Sequence, residues 1–283
     1  MHLAVLGHWH FNRSEPTNSN DVVVVKLIEI APVSLSQSTN KKTPEEVDLP
    51  SSSEEPTLAP QKSSQNSVGQ PFILPPSAKL HYATFVNGNE NQPANITWQQ
   101  NASTYSLNVE FWMLFVGDIK FKSQGDIDIY GISPQLYEEQ VGKRQRAVIF
   151  ERDASQVRMT INNEIAPIKP GTQDRFSVIF QLASLVGGNP EIDAEGVARL
   201  IPIVDLRRVD EWVFLSSGDI DMPGYDGQVV SARHFKRQAR SSDDRRSLEV
   251  WLAKEYSWLP VKIIQTEPNG TVYEMNLQKL QTN

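Results

Sequence analysis

Cysteine is absent from the 283 residues, which removes thiolate nucleophiles, zinc–thiolate sites and disulfides. Histidine is scarce, with 5 in all, and only His81 and His234 fall in the part of the chain able to build a core. An enzyme needs a positioned base or nucleophile, and neither histidine belongs to a recognisable triad. The expectation is therefore a protein without enzymatic activity, with a hydrolase of unfamiliar site as an alternative. Also missing are G-x-S-x-G, H-E-x-x-H, the phosphate and dinucleotide glycine loops and the calcium-loop spacing. Gly125-Asp-Ile-Asp128 and Gly218-Asp-Ile-Asp221 place carboxylates at i and i+2 but read as strand beginnings, so no metal and no cofactor is expected. Positive charge is in deficit, 27 Lys+Arg against 34 Asp+Glu for a net −7, which disfavours a nucleic-acid partner. No apolar run reaches the roughly 20 residues of a membrane-crossing helix.

What is present changes in character along the chain. A short apolar piece, Leu3 to Phe11, precedes Asp21-Val-Val-Val-Val-Lys-Leu-Ile-Glu-Ile-Ala-Pro32, after which Ser, Pro, Thr, Gln, Asn and Glu dominate. That composition cannot bury enough apolar surface to offset the entropy of ordering. The order resembles the front of TonB-type proteins, in which an inner-membrane helix, a Val-rich stretch and a periplasmic spacer precede the folded domain. Residues 1–20 are expected to be a truncated membrane-anchor remnant, 21–73 a disordered tether and 74–283 a β-rich domain. The resemblance implies a coding region that continues upstream of Met1 and a periplasmic, inner-membrane-anchored protein. A frayed N-terminus without an anchor is the alternative.

From Phe72 onward apolar residues alternate. Tyr105, Leu107, Val109, Phe111, Met113 and Phe115 share one face of a strand, while Trp112 and Leu114 make its far end apolar on both faces, an end that something should cover. Leu248, Val250 and Leu252 alternate with Ser247, Glu249 and Trp251. Asn87-Gly88, Gln124-Gly125, Asn162-Asn163, Ser217-Gly218, Asp226-Gly227 and Asn269-Gly270 read as turns between antiparallel strands. One long helix interrupts them, expected over 172–186, with Thr172 as cap, Gly187-Gly188 as a left-handed exit and a polar stripe at Asp174, Ser177, Gln181 and Ser184. Its remaining arc is apolar and needs walls on most sides. The fold expected is mainly β, an antiparallel meander curled into a half-barrel or incomplete barrel around that helix, with a two-sheet sandwich as the alternative.

Three stretches carry a family resemblance: Asp243 to Glu274, Gly171-Thr-Gln-Asp-Arg-Phe-Ser-Val-Ile-Phe-Gln-Leu-Ala183, and Leu74-Pro-Pro-Ser-Ala-Lys-Leu-His-Tyr82. Together they resemble the bacterial domain-of-unknown-function family numbered 3108, over about residues 74–280. Its members are exported proteins of Gram-negative bacteria with no enzymatic role attached. Val250-Trp-Leu252, a short turn and Leu259-Pro-Val-Lys-Ile263 are similar to a hairpin of the LolA/LolB lipoprotein carriers, whose half-barrel holds an acyl chain against a helix.

Two candidate sites follow. Phe111, Met113, Phe115, Phe176 and Phe180 would line a cavity for an apolar ligand if the barrel is not solid. Arg233, Lys236, Arg237, Arg240, Arg245 and Arg246 crowd one hairpin and would face an anionic partner such as lipid phosphates, unless internal ion pairs absorb them. The functional expectation is a cell-envelope domain that binds an apolar ligand or an envelope protein; the rival is an interaction scaffold with no cavity.

Overall fold

In the computed structural model of the chain, the described residues are 70–114 and 116–282. The anchor remnant, nearly all of the tether and the cavity candidate Phe115 lie outside them.

Among the described residues fifteen strands form one continuous sheet. A first meander runs through β1 (Ala78–Val86), β2 (Asn89–Gln100), β3 (Thr104–Met113), β4 (Gly117–Asp128), β5 (Gly131–Val141), β6 (Arg144–Glu151), β7 (Gln156–Met159) and β8 (Glu164–Pro167), each antiparallel to the one before. A second runs through β9 (Gln173–Asp174), β10 (Ala198–Val204), β11 (Val209–Pro223), β12 (Val229–Arg237), β13 (Ser247–Ala253), β14 (Leu259–Thr266) and β15 (Val272–Thr282), antiparallel except for the parallel β9–β10 pair. β15 then pairs with β1, from Ala78↔Thr282 to Val86↔Tyr273, and joins the meanders into one surface. The edges, β8 and β9, are consecutive in sequence yet do not pair, so the barrel is incomplete. One curled sheet replaces the sandwich alternative.

Glycine marks two kinds of place here. Asn87 and Gly88 both take positive φ (50° and 79°), as a two-residue hairpin requires. Gln124-Gly125 and Ser217-Gly218, expected as turns, instead lie at register shifts inside β4 and β11. These are bulges, and the two Gly-Asp-Ile-Asp repeats follow them rather than starting strands.

Inside the curl lies α1 (Ser177–Gly188), packed on β5, β9 and β14. It begins later than expected because Gln173 and Asp174 are used as strand β9, opposite Ile203 and Val204. The capping group is Asp174, not Thr172: its Oδ1 accepts the N–H groups of Phe176 (2.9 Å) and Ser177 (2.8 Å), and Ser177 Oγ accepts the Asp174 N–H (2.9 Å). That reciprocal pair satisfies donors a first helical turn leaves open. Thr172 donates its hydroxyl to the Lys169 carbonyl instead (2.6 Å).

The polar stripe does not face water, for every residue from Ser177 to Val186 is buried. Gln181 accepts the Ile132 N–H (2.8 Å) and donates to the Tyr130 carbonyl (2.7 Å), which pins the helix to the β4–β5 turn. Nor do Gly187 and Gly188 form a left-handed exit, since neither has positive φ. They make room for an approaching strap: a Cβ on Gly188 would lie 2.4 Å from the Pro71 carbonyl oxygen, and one on Gly187 2.9 Å from that of Ile73. The Ile73 N–H donates to the Ser184 carbonyl (2.9 Å), which ties the strap to the last turn of α1. Packing into the domain thus begins before residue 74.

Strand direction separates the two ends of the barrel. The 70–77 strap closes the end where α1 finishes, while the β1–β2, β3–β4, β5–β6, β12–β13 and β14–β15 connections gather at the other, where α1 starts. Twelve helical residues span about 18 Å and the 12 residues of β4 roughly 40 Å along the strand. The helix therefore fills only part of the barrel's length.

Candidate functional site

Above the first turn of α1, at the open end, lies a pocket of about 280 Å³. Its apolar wall follows from the period-two face of β3: Val109, Phe111 and Met113 line it, and their register partners on β4 are Phe121, Ile119 and Gly117. An aromatic series leads inward, Phe111 to Phe121 at 6.2 Å between ring centroids and Phe121 to Phe176 at 4.6 Å. Ile263, Met275, Phe85 and Val86 close the opposite side.

Of the cavity candidates, Phe111, Met113 and Phe176 line the pocket. Phe180 does not. One helical turn below Phe176, it is 1% exposed and stacks on Trp98 at 4.5 Å, where the barrel is filled. Trp98 in turn donates its indole N–H to the Pro75 carbonyl (3.0 Å).

The pocket also has a polar side that sequence reasoning missed. Arg175 meets Glu267 (2.5 Å) and Glu139 (3.5 Å), and Glu139 accepts the Tyr137 hydroxyl (2.7 Å). Burial works against the Arg175 charge, but Tyr137, Glu267 and Glu139 outweigh it and hold the guanidinium above its ordinary pKa. Burial likewise pushes Glu267 up, and the Arg175 charge and hydrogen bond overcome that, so its carboxyl lies below the ordinary value. Gln265, Tyr273 and Glu274 complete this side. The available signal was one charged residue, Arg175, set between Asp174 and the apolar run.

The basic hairpin is engaged internally. Arg233 is buried, donates to the Pro190 carbonyl (3.0 Å), and pairs with Asp219. Arg237 pairs with Asp244 (2.6 Å) and lies over the Trp212 ring at 4.7 Å. Arg240 reaches Asp244 (3.1 Å) and Asp210, Arg246 reaches Asp205 (3.1 Å) and Glu267 (3.6 Å), and Lys236 reaches Glu249 (3.0 Å). Arg245 alone of the group is exposed and has no ion pair among the described residues. Asp205, Asp210 and Asp219 reach them from upstream and Glu267 from downstream, while Asp244 and Glu249 belong to the hairpin itself, which is why composition displayed a patch where the fold has cross-links.

Both histidines have partners within the fold. His81 Nδ1 contacts Asn95 Oδ1 (2.6 Å), and His234 stacks on Trp251 at 4.2 Å with its Nε2 3.1 Å from Glu249. Burial lowers the His234 pKa, against the opposing pull of Glu249. A buried polar chain links Tyr105 to Ser123 (2.7 Å) and Ser123 to Asp174 (2.5 Å); it ties β3 and β4 to the helix start. Burial raises the Asp174 pKa despite these hydrogen bonds. Among the described residues no three or more His, Cys, Asp or Glu gather in an arrangement suited to a metal.

The sequence model of a family described as "Protein of unknown function (DUF3108)" matches residues 78–278. No curated protein matches the chain. Among solved structures it is similar to the crystal structure of a beta-barrel-like protein of domain of unknown function DUF1849 from Brucella abortus, at 10% identity over 75% of this chain and 99% of that one, with a TM-score of 0.49.

Proposed function

The chain belongs to the DUF3108 family, and from that premise we propose that its barrel is a non-enzymatic binding domain for a molecule with one extended apolar chain, acting in the periplasm. The observation that carries the reading is the pocket: about 280 Å³ walled by Val109, Phe111, Ile119, Phe121 and Phe176, and open at the end the helix does not fill. That volume lies just below the roughly 300–1,000 Å³ of small-molecule sites, so it suits a single acyl-type chain rather than a multi-chain lipid. Arg175 is already matched by two carboxylates, so the polar side offers hydrogen bonds more than net positive charge. An uncharged head next to the apolar chain is the better fit. The periplasmic location rests on the TonB-like order of residues 1–73.

Titration with a fluorescent long-chain alcohol tests the reading. Met113→Trp, which fills the pocket from β3, should weaken binding roughly tenfold or more, about 1.4 kcal/mol, at an unchanged melting temperature. No saturable binding by the parent protein, or equal binding by the variant, would contradict it.

A further inference from the structure

The β3–β4 hairpin ends in Trp112, Leu114 and Val116, which are 41%, 59% and 39% exposed. The end of β3 that is apolar on both faces is uncovered among the described residues. It is nevertheless well held: the Val116 N–H donates to the Met113 carbonyl (3.1 Å), and Asn91 Nδ2 donates to that of Trp112 (3.0 Å). Apolar side chains set in water at the end of a hairpin mark a contact surface.

Beside it stands the β5–β6 turn. The Gly142 N–H donates to the Asp118 carbonyl (2.8 Å), and a Cβ on Gly142 would lie 2.9 Å from the Val116 carbonyl oxygen. This turn brings Lys143 and Arg144, both exposed, and Arg146, half-buried, next to the apolar tip. Among the described residues none of the three has an ion pair, unlike Arg233, Arg237, Arg240 and Arg246. Arg144 and Arg146 sit opposite Val141 and Glu139 in register, on the pocket's side of the sheet. The exposed carboxylates nearby are Asp118 on β4 and Glu90 on β2, beside Asn91.

Apolar side chains flanked by unpaired cations are the chemistry of an anionic lipid surface. We infer that these two hairpin tips dock the barrel's open end on an anionic lipid bilayer. Met113 and Val116 belong both to the hairpin and to the pocket wall. Docking there brings the pocket's mouth against the acyl region, so an apolar chain enters or leaves without crossing water. The inference rests on the binding reading above but concerns a separate surface, because Leu114, Lys143 and Arg144 do not line the pocket.

Flotation of the full chain with vesicles of phosphatidylglycerol and phosphatidylethanolamine, beside vesicles of phosphatidylcholine alone, tests it. The parent should float with the anionic vesicles and much less with the neutral ones. Leu114→Asp should reduce the bound fraction roughly tenfold, from loss of one buried leucine. Lys143→Glu/Arg144→Glu should do the same by charge reversal and remove the salt dependence of what remains. Both variants should keep the parent's melting temperature and its binding of the fluorescent alcohol in solution. Flotation of Leu114→Asp equal to the parent's, or no flotation of the parent, overturns the docking inference. Either result with alcohol binding intact leaves the pocket reading standing, while flotation without alcohol binding overturns the pocket reading alone.

Discussion

Glu267 is the residue where the polar side of the pocket meets the basic hairpin, since Arg175 contacts it at 2.5 Å and Arg246 at 3.6 Å. Its carboxyl lies below the ordinary value of 4.5 in the folded protein, burial being outweighed by Arg175, Arg246 and Gln265. A carboxyl with a lowered folded-state pKa contributes stability that is present above the unfolded value and lost as pH falls through the folded one. Glu267→Gln should therefore be less stable than the parent at about pH 7, and the difference should shrink below about pH 4. Urea unfolding of both proteins across that range measures it. A constant difference at every pH would remove the ionic role. Arg175 itself was not legible as a site residue. Its partners Glu139 and Glu267 are supplied by β5 and by the β14–β15 turn, and nothing in local spacing connects them.

At the scale of the element, α1 is a helix stabilised by what surrounds it more than by propensity. Its Gln181 and Ser184 are buried with partners, and Phe180 is locked against Trp98. Phe180→Ala should cost roughly 3–5 kcal/mol by leaving a cavity in the filled half of the barrel. Chemical denaturation is the measurement, and a loss under about 1 kcal/mol would mean the site collapses around the gap. How far elements could be read from sequence follows the range of the interactions that define them. β13 was legible from the alternation of Leu248, Val250 and Leu252, because a half-buried strand writes its period locally. The helix start was not, because Asp174 is drawn into β9 by Ile203 and Val204. The glycines at 187–188 answer to Pro71 and Ile73, contacts that a helix-exit rule does not contain. Phe111 and Phe180 illustrate the limit for the cavity. Both are apolar at the correct period, and only the unequal lengths of helix and strand decide that one faces a pocket and the other a filled core.

At the scale of the whole molecule, two meanders seamed by β1 and β15 form a curled sheet with unlike ends. The strap at 70–77 and the end of α1 close one; the other holds the pocket and the exposed tip at Trp112, Leu114 and Val116. The curl was legible from short antiparallel spacing and one helix needing walls all round. The asymmetry of its ends was not, because it depends on where the strap lands. Photolabelling with a long-chain alcohol bearing a diazirine at its apolar end, followed by peptide mapping, tests the central claim directly. The account predicts saturable label on the peptides holding Val109 to Met113, Ile119 to Phe121 and Phe176, lost in Met113→Trp. Label absent from those peptides, or spread over the surface and unaffected by that substitution, would contradict it.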